Sequence, residues 1–449
     1  MNKTNILKFL SEFISIQSVS ADSSRRGETT KAVNFLTNFL TQIGFTVRKL
    51  QKENALPMIV GEYYSTANRR DKSKKTVGIY GHYDVQPEDP VDEWQSPPFK
   101  LTLRNGKLFG RGVADNKGHV IQNLIAIKHL IANKHLKNNI VFILEGEEET
   151  GSVNLEDYLR QTRDILEKVD VFYITDVGMF RKNVPQIFFG LRGLVYFELT
   201  IVTAKRDLHS GVWGNRVLNP ALIAGQLIAK FKDLKSDKVL IPGFYSDVRT
   251  IPKQERLLLM SVAKSDKEQL KDSGAFKLIS QDNKQPYLSA KIYPSLDING
   301  IISGYTGEGA KTVIARSAVV KFSCRLVEKQ DPDKIEARVR KFIDDNIAEG
   351  VRYSIKILSK DKPFYTDVNN PYVLKTANLL ENYFGEKTRF NRTGGSIPVA
   401  DVLQRILNKP IILTGFTLPD SYIHSPNENF DEEMFFAGIA SLEKIYSSI

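Results

Sequence analysis

Two N-terminal stretches carry apolar residues at helical spacing. The first is M-N-K-T-N-I-L-K-F-L-S-E-F. The second, T-K-A-V-N-F-L-T-N-F-L-T-Q-I, runs to Gly44, a suitable C-cap. Short continuous apolar runs then alternate with helical patterns. T-V-G-I-Y (76–80) reads as a strand and K-G-H-V-I-Q-N-L-I-A-I-K-H-L-I as a helix. N-I-V-F-I-L (139–144), V-D-V-F-Y-I-T (169–175) and P-I-I-L-T (410–414) read as strands covered on both faces. This alternation predicts an α/β layer structure with a largely parallel sheet flanked by helices.

After Gly193 the pattern changes. L-V-Y-F-E-L-T-I-V alternates like a half-exposed strand, and N-P-A-L-I-A-G-Q-L-I-A-K-F follows as a helix. An irregular stretch is expected over 237–290. A weak strand near 297–303, a strong one in A-R-S-A-V-V-K-F-S-C-R-L-V, a helix in D-P-D-K-I-E-A-R-V-R-K-F-I and a strand in R-Y-S-I-K-I-L come next. The order is βαββαβ, that of a ferredoxin-like α+β domain. The expected organisation is a catalytic domain formed by 1–192 and 361–449, with this smaller domain inserted at 193–360.

The chain has 449 residues, 41% hydrophobic and 26% charged, enough for more than one soluble globular core. Cys324 is the single cysteine, so no intramolecular disulfide forms. Its alternating surroundings predict a buried packing residue. No stretch has the apolar length of a signal peptide or a membrane span, and a cytoplasmic enzyme is expected. The net charge of +11 is dispersed. Its densest run, N-R-R-D-K-S-K-K, lies between two strand-like segments and reads as a solvated loop. No zinc-finger spacing, RNP-like motif or basic helix points to nucleic acid.

The polar residues that follow the apolar runs change the picture most. His82 and Asp84 follow the first strand, Glu147, Glu148 and Glu149 the second, Asp176 the third, and His424 lies in the loop after P-I-I-L-T. Ligands of open parallel sheets bind beyond the carboxyl ends of the strands. Asp115, in G-R-G-V-A-D-N-K-G, immediately precedes a helix. Two imidazoles among several carboxylates suit Zn²⁺, Mn²⁺ or Co²⁺ better than Ca²⁺ or Mg²⁺. Two divalent ions would offset the repulsion within so dense an acid cluster. Taken singly, H-x-D is usually a hydrogen-bonded loop and E-G-E-E-E-T a solvated face. Their joint placement after strands, beside Gly81, Gly110, Gly112, Gly118, Gly146 and Gly151, is what singles them out.

In chain order, G-H-Y-D-V-Q-P, V-D-E-W, G-R-G-V-A-D-N-K-G, E-G-E-E-E-T-G-S, D-L-H-S-G, G-A-K-T-V-I, C-R-L-V and G-G-S-I-P-V resemble the M20 metallopeptidases. The nearest branch is that of the dipeptidases, with carnosinase and the cytosolic nonspecific dipeptidase. The resemblance covers about residues 5–445. It implies a zinc-peptidase-like catalytic domain whose inserted domain is a lid and homodimer contact. It also implies that His82 and Asp176 bind one metal, Glu149 and His424 the other, and Asp115 both, across a cis bond to Asn116. Asp84 would orient His82. Glu148 would be the general base, chosen by matching E-E-T-G-S to the family's motif, because spacing alone leaves the three glutamates ambiguous. His209 would reach the partner's active site and stabilise the oxyanion. Arg325 would hold the substrate's terminal carboxylate. Thr312, Ser396, Gly394 and Gly395 would contact substrate. The ions implied are zinc, with manganese or cobalt as alternatives.

The implied activity is hydrolysis of dipeptides or short peptides with a free C-terminus. An N-acyl amino acid amidohydrolase and a non-catalytic binding protein of the same fold are the competing readings. His119, His129 and His135 read as structural or solvent-exposed. Trp94 reads as a packing anchor rather than a substrate platform.

Overall fold

A computed structural model describes residues 1–65, 74–282, 284–395 and 397–449. The basic loop expected at 68–75 lies outside these residues except for Lys74 and Lys75, and Ser396 lies outside them altogether. The chain forms two compact units. One comprises Met1–Phe189, Thr366–Asn391 and Ile397–Ile449. The other comprises Gly190–Tyr365 and Arg392–Ser396.

The first unit is built on a mixed sheet. Its order is Thr46–Leu50, Met58–Tyr63, Asn139–Glu145, Thr76–His82, Val171–Thr175, Ile411–Thr414 and Gln186–Leu191. Four central strands, Asn139–Glu145, Thr76–His82, Val171–Thr175 and Ile411–Thr414, are mutually parallel. Nearly every residue in them is buried, as their continuous apolar runs predict. The expectation of a largely parallel sheet is corrected at the edges. Thr46–Leu50 and Met58–Tyr63 pair antiparallel with each other, and Met58–Tyr63 runs antiparallel to Asn139–Glu145. Gln186–Leu191 runs antiparallel to Ile411–Thr414. The first two are joined by a short connection that returns the chain directly, whereas a parallel neighbour needs a crossover of a dozen residues or more.

The helix Lys117–Ala132 covers the sheet with almost every side chain buried through Ile127 and packs on Glu432–Ser448. The two N-terminal helices are Lys3–Ser15 and Arg26–Gln42. Gly44 follows the second in the left-handed region, φ +96°, and its N–H is donated to the Thr41 carbonyl.

The second unit has a four-stranded antiparallel sheet in the order Ser295–Ser303, Ser317–Leu326, Gly193–Val202, Arg352–Asp361. Gly193–Val202 buries alternate residues. That buried face and the apolar stripes of Pro220–Phe231 and Pro332–Asn346 share one core, in which Phe197 stacks on Phe322 at 4.7 Å and Cys324 is fully enclosed. The stretch expected to be irregular contains two short helices, Lys253–Met260 and Asp266–Ser273. The second opens on a capping box between Ser265 and Glu268, a local signal strong enough to start a helix of eight residues.

A buried charge cluster ties this unit to its outlying segment. Arg392 donates to both oxygens of Glu328 at 2.9 Å and to Glu255 at 2.6 Å. Arg249 donates to the same two carboxylates at 2.9 and 2.6 Å, and the Tyr365 hydroxyl to Glu255 at 2.9 Å. Two guanidinium cations thus face two carboxylates. Among the described residues, no helix is long and apolar enough to cross a membrane.

Candidate metal centre

Strand ends bring His82 and Asp176 to one edge of the first unit's sheet. The loop Gly110–Asn116 brings Asp115 and the turn Glu148–Thr150 brings Glu149. His424 comes from the segment after Ile411–Thr414. These residues form two groups, each with ligand atoms mutually within 4.8 Å. One is His82, Asp115 and Asp176. The other is Asp115, Glu149 and His424. Asp115 belongs to both and offers one oxygen to each imidazole. Its Oδ1 lies 3.0 Å from His82 Nε2, and its Oδ2 lies 2.9 Å from His424 Nε2. Asp176 Oδ1 is 3.7 Å from His82 Nε2, and Glu149 Oε2 is 3.2 Å from His424 Nε2.

The donor set fits divalent cations. Burial opposes a proton on His82, yet the carboxylates of Asp176, Asp115 and Asp84 outweigh it and hold the imidazole well above its ordinary value. Hydrogen bonds to Asp115 and Glu149 push His424 up to about 10. Burial raises Glu149 and Asp176. Glu149 Oε1 is buried without a hydrogen-bond partner. An orphaned carboxylate oxygen within so negative a field is the environment a cation relieves.

Groups around the site set the donor orientations. His82 Nδ1 faces the Asp84 carbonyl at 3.1 Å and Asp84 Oδ1 at 3.3 Å, which turns Nε2 towards Asp115. Asp84 Oδ2 also accepts from the Glu149 amide at 3.0 Å, so one carboxylate braces a residue of each group. Gln86 donates to Glu149 Oε2 at 2.8 Å, and Asn116 donates to Asp176 Oδ1 at 2.5 Å. The Asp115–Asn116 peptide is cis. His424 has φ +61° with Tyr422 and Asn427 also left-handed, so the loop presents its imidazole from a conformation uncommon for side-chain-bearing residues.

The three glutamates separate by environment. Glu147 accepts from the Leu56 amide at 2.8 Å and from Asn154, a loop-holding role. Glu149 faces His424. Glu148 is raised well above the carboxylate range, first by burial and further by Asp176, Asp115 and Glu149.

Of the other predicted residues, His209, Thr312, Arg325, Gly394 and Gly395 lie in the second unit, and Trp94, His119, His129 and His135 in the first. His209 is exposed and accepts from the Gly211 amide at 2.9 Å; it pairs with Val313, and the next residue, Ser210, donates to the Thr312 carbonyl. Arg325 donates to the Gly394 carbonyl at 3.2 Å, so those two meet, and Gly395 has open space where a Cβ would stand. His119 is buried and accepts from the Phe416 amide at 3.1 Å; His129 pairs with Glu443, and His135 is exposed. Trp94 donates to the Glu88 carbonyl, with Arg111 over its ring at 5.4 Å.

The sequence reading missed Glu428 and Arg111. Glu428 is fully buried. It accepts from Arg111 at 2.7 Å and from the amides of Gly112, Ala114 and Asp115 at 2.9, 2.8 and 3.0 Å. Its place in H-S-P-N-E-N-F, four residues after His424, was the available signal. Gly112, at φ +87°, lies where a Cβ would come within 2.6 Å of Val85.

The model of peptidase family M20/M25/M40 matches residues 78–448. The chain is 30% identical to the Cys-Gly metallodipeptidase dug1 of Schizosaccharomyces pombe, over 97% of this chain and 94% of that protein. It is 31% identical to the human Beta-Ala-His dipeptidase, over 85% and 75% of the two chains. Its fold is similar to that of the M20 family metallo-carboxypeptidase Sso-CP2 from Sulfolobus solfataricus. The TM-score is 0.88 at 30% identity, with 100% and 99% of the chains covered. The chain belongs to peptidase family M20/M25/M40, on its dipeptidase branch.

Proposed function

We propose that this protein is a two-metal dipeptidase, hydrolysing dipeptides or short peptides that end in a free carboxylate. The observation that carries the reading is Asp115, whose two oxygens face the two imidazoles of adjoining ligand groups. The dipeptidases among its relatives support it. Zinc is the ion we favour, and manganese or cobalt suit the same donors. Divalent ions held by His82, Asp115 and Asp176, and by Asp115, Glu149 and His424, would supply Lewis acidity towards the peptide carbonyl and a more acidic water.

The chain's own groups divide the remaining work. Glu148 takes the proton from the attacking water and returns it to the departing amine nitrogen. Asp84 keeps His82 in one tautomer and orientation. Arg325 pairs its planar fork with the substrate's terminal carboxylate. Gly394 and Gly395 let backbone approach the substrate, and Thr312 and Ser396 add polar contacts. His209 stabilises the tetrahedral oxyanion in the partner subunit's site. The inserted unit then acts as lid and dimer contact, with a cytoplasmic homodimer as the working form.

The test is a panel of dipeptides and N-acetyl amino acids with Zn²⁺- or Mn²⁺-loaded protein. Dipeptides are expected to be the faster substrates. Faster turnover of the acylated amino acids would replace the reading with an amidohydrolase, and no turnover of either would refute it. Mixing inactive His209→Ala and Glu148→Gln dimers is expected to restore activity on subunit exchange; no recovery after demonstrated exchange refutes the shared site.

A further inference from the structure

Glu428 takes no part in the chemistry proposed above, yet its surroundings are more constrained than those of any proposed ligand. Its two oxygens accept four donors at 2.7–3.0 Å: the Arg111 guanidinium and the amides of Gly112, Ala114 and Asp115. Its own carbonyl accepts from Gly110 at 3.1 Å. Next to it, Asn429–Asp431 pairs antiparallel with Lys107–Phe109. Two segments are therefore stitched along their length. One ends on Asp115, the residue common to both ligand groups. The other carries His424, four residues before Glu428.

A buried ion pair alone would be a weak reason to keep a carboxylate here, since an apolar pair of similar volume is often as stable. The amides give the stronger reason. Three N–H groups of the turn that ends on Asp115 converge on Glu428, and two oxygens without a proton satisfy them together. A glutamine has one accepting oxygen and would aim its NH₂ group either at Arg111 and the Gly112 amide, which share one oxygen, or at the Ala114 and Asp115 amides, which share the other. Arg111 balances the charge, so the pair adds no net repulsion to Asp115, Glu149 and Asp176.

We infer that Glu428 is a positioning residue for the metal centre: it fixes the Gly112–Asp115 turn against the His424 segment and so sets how Asp115 is shared between the two ligand groups. This rests on the two-metal reading. Exchange of a residue that orients a metal ligand typically weakens metal affinity by about 10–100-fold. The Asp115, Glu149 and His424 position is expected to suffer more, because both stitched segments supply it.

The experiment uses the full chain with Glu428→Gln and Glu428→Asp. The second keeps the charge and shortens the reach. Zn²⁺ affinity and stoichiometry are measured in metal buffers, and the visible spectrum of the Co²⁺-loaded protein reports ligand geometry. A purely structural role would lower the melting temperature and leave the spectrum of the folded fraction unchanged. The expected result is a second equivalent of Zn²⁺ bound at least about tenfold more weakly, with an altered Co²⁺ spectrum. Wild-type affinities and spectrum in folded Glu428→Gln overturn the inference. If that variant does not fold, the same result in Glu428→Asp overturns it. A wild-type chain that takes up one ion only would refute the two-metal reading instead, and the variants would then be compared on that single ion.

Discussion

Replacing Arg392 with methionine removes one of two cations from the charge cluster of the second unit. The side chains of Arg392 and Glu255 are each 4% exposed and that of Glu328 10%, so water is no substitute. Its hydrogen bonds to Glu328 and Glu255 are lost. Glu255 and Glu328 are left facing Arg249, with Tyr365 still bonded to Glu255. Breaking a buried pair from one side costs about 3–5 kcal/mol, because the remaining charge stays desolvated. At about 2–4 °C per kcal/mol for a unit of this size, melting should fall by roughly 6–20 °C. Scanning calorimetry of the full chain reads the shift. Adding Glu328→Gln to Arg392→Met restores neutrality and should return part of the loss, since contacting residues couple by about 0.5–3 kcal/mol. A fall smaller than about 2 °C, or strictly additive losses in the double variant, would refute the reasoning.

Glu148→Gln should lower turnover by about 10²–10⁴-fold while metal content stays at two ions per chain; joint loss of metal would mean that base and ligand are exchanged between Glu148 and Glu149. Arg325→Met should raise KM for a free dipeptide and spare its C-terminal amide, and equal effects on both would remove Arg325 from carboxylate recognition. His119 is held neutral by burial, at about 4 against an ordinary 6.5. Between those values the unfolded chain binds a proton that the folded one refuses, so stability falls as pH drops through the window and levels off below it. The contribution is about 3 kcal/mol, and His119→Gln should flatten that part of the acid limb in urea titrations; parallel limbs would refute it.

The parallel strands were legible because burial on both faces demands continuous apolar runs, and T-V-G-I-Y and N-I-V-F-I-L supply them. The antiparallel edges were not. Thr46–Leu50 is half exposed, and its direction depends on the connection to its partner. The short helices Lys253–Met260 and Asp266–Ser273 lack the length for a clear period, although the capping box was readable. At the site, residues just after strands could be anticipated because strand ends converge on one edge. Glu428 was marked only by its nearness to His424, because its partners lie over 300 residues away in the chain and an acid in a loop carries no local sign of burial. Glu147 and Glu149 likewise differ through distant partners such as Leu56 and His424, which spacing within E-E-E does not reveal.

Ile411–Thr414 lies between Val171–Thr175 and Gln186–Leu191, two strands made more than two hundred residues earlier. During synthesis the ribosome therefore releases both neighbours long before the strand that separates them. Until then each presents an unpaired edge, and His82, Asp115, Glu149 and Asp176 wait without His424. A protein of this topology spends much of its translation with an open slot inside its main sheet. That slot is where a chaperone would be needed, and where two unfinished chains could pair wrongly.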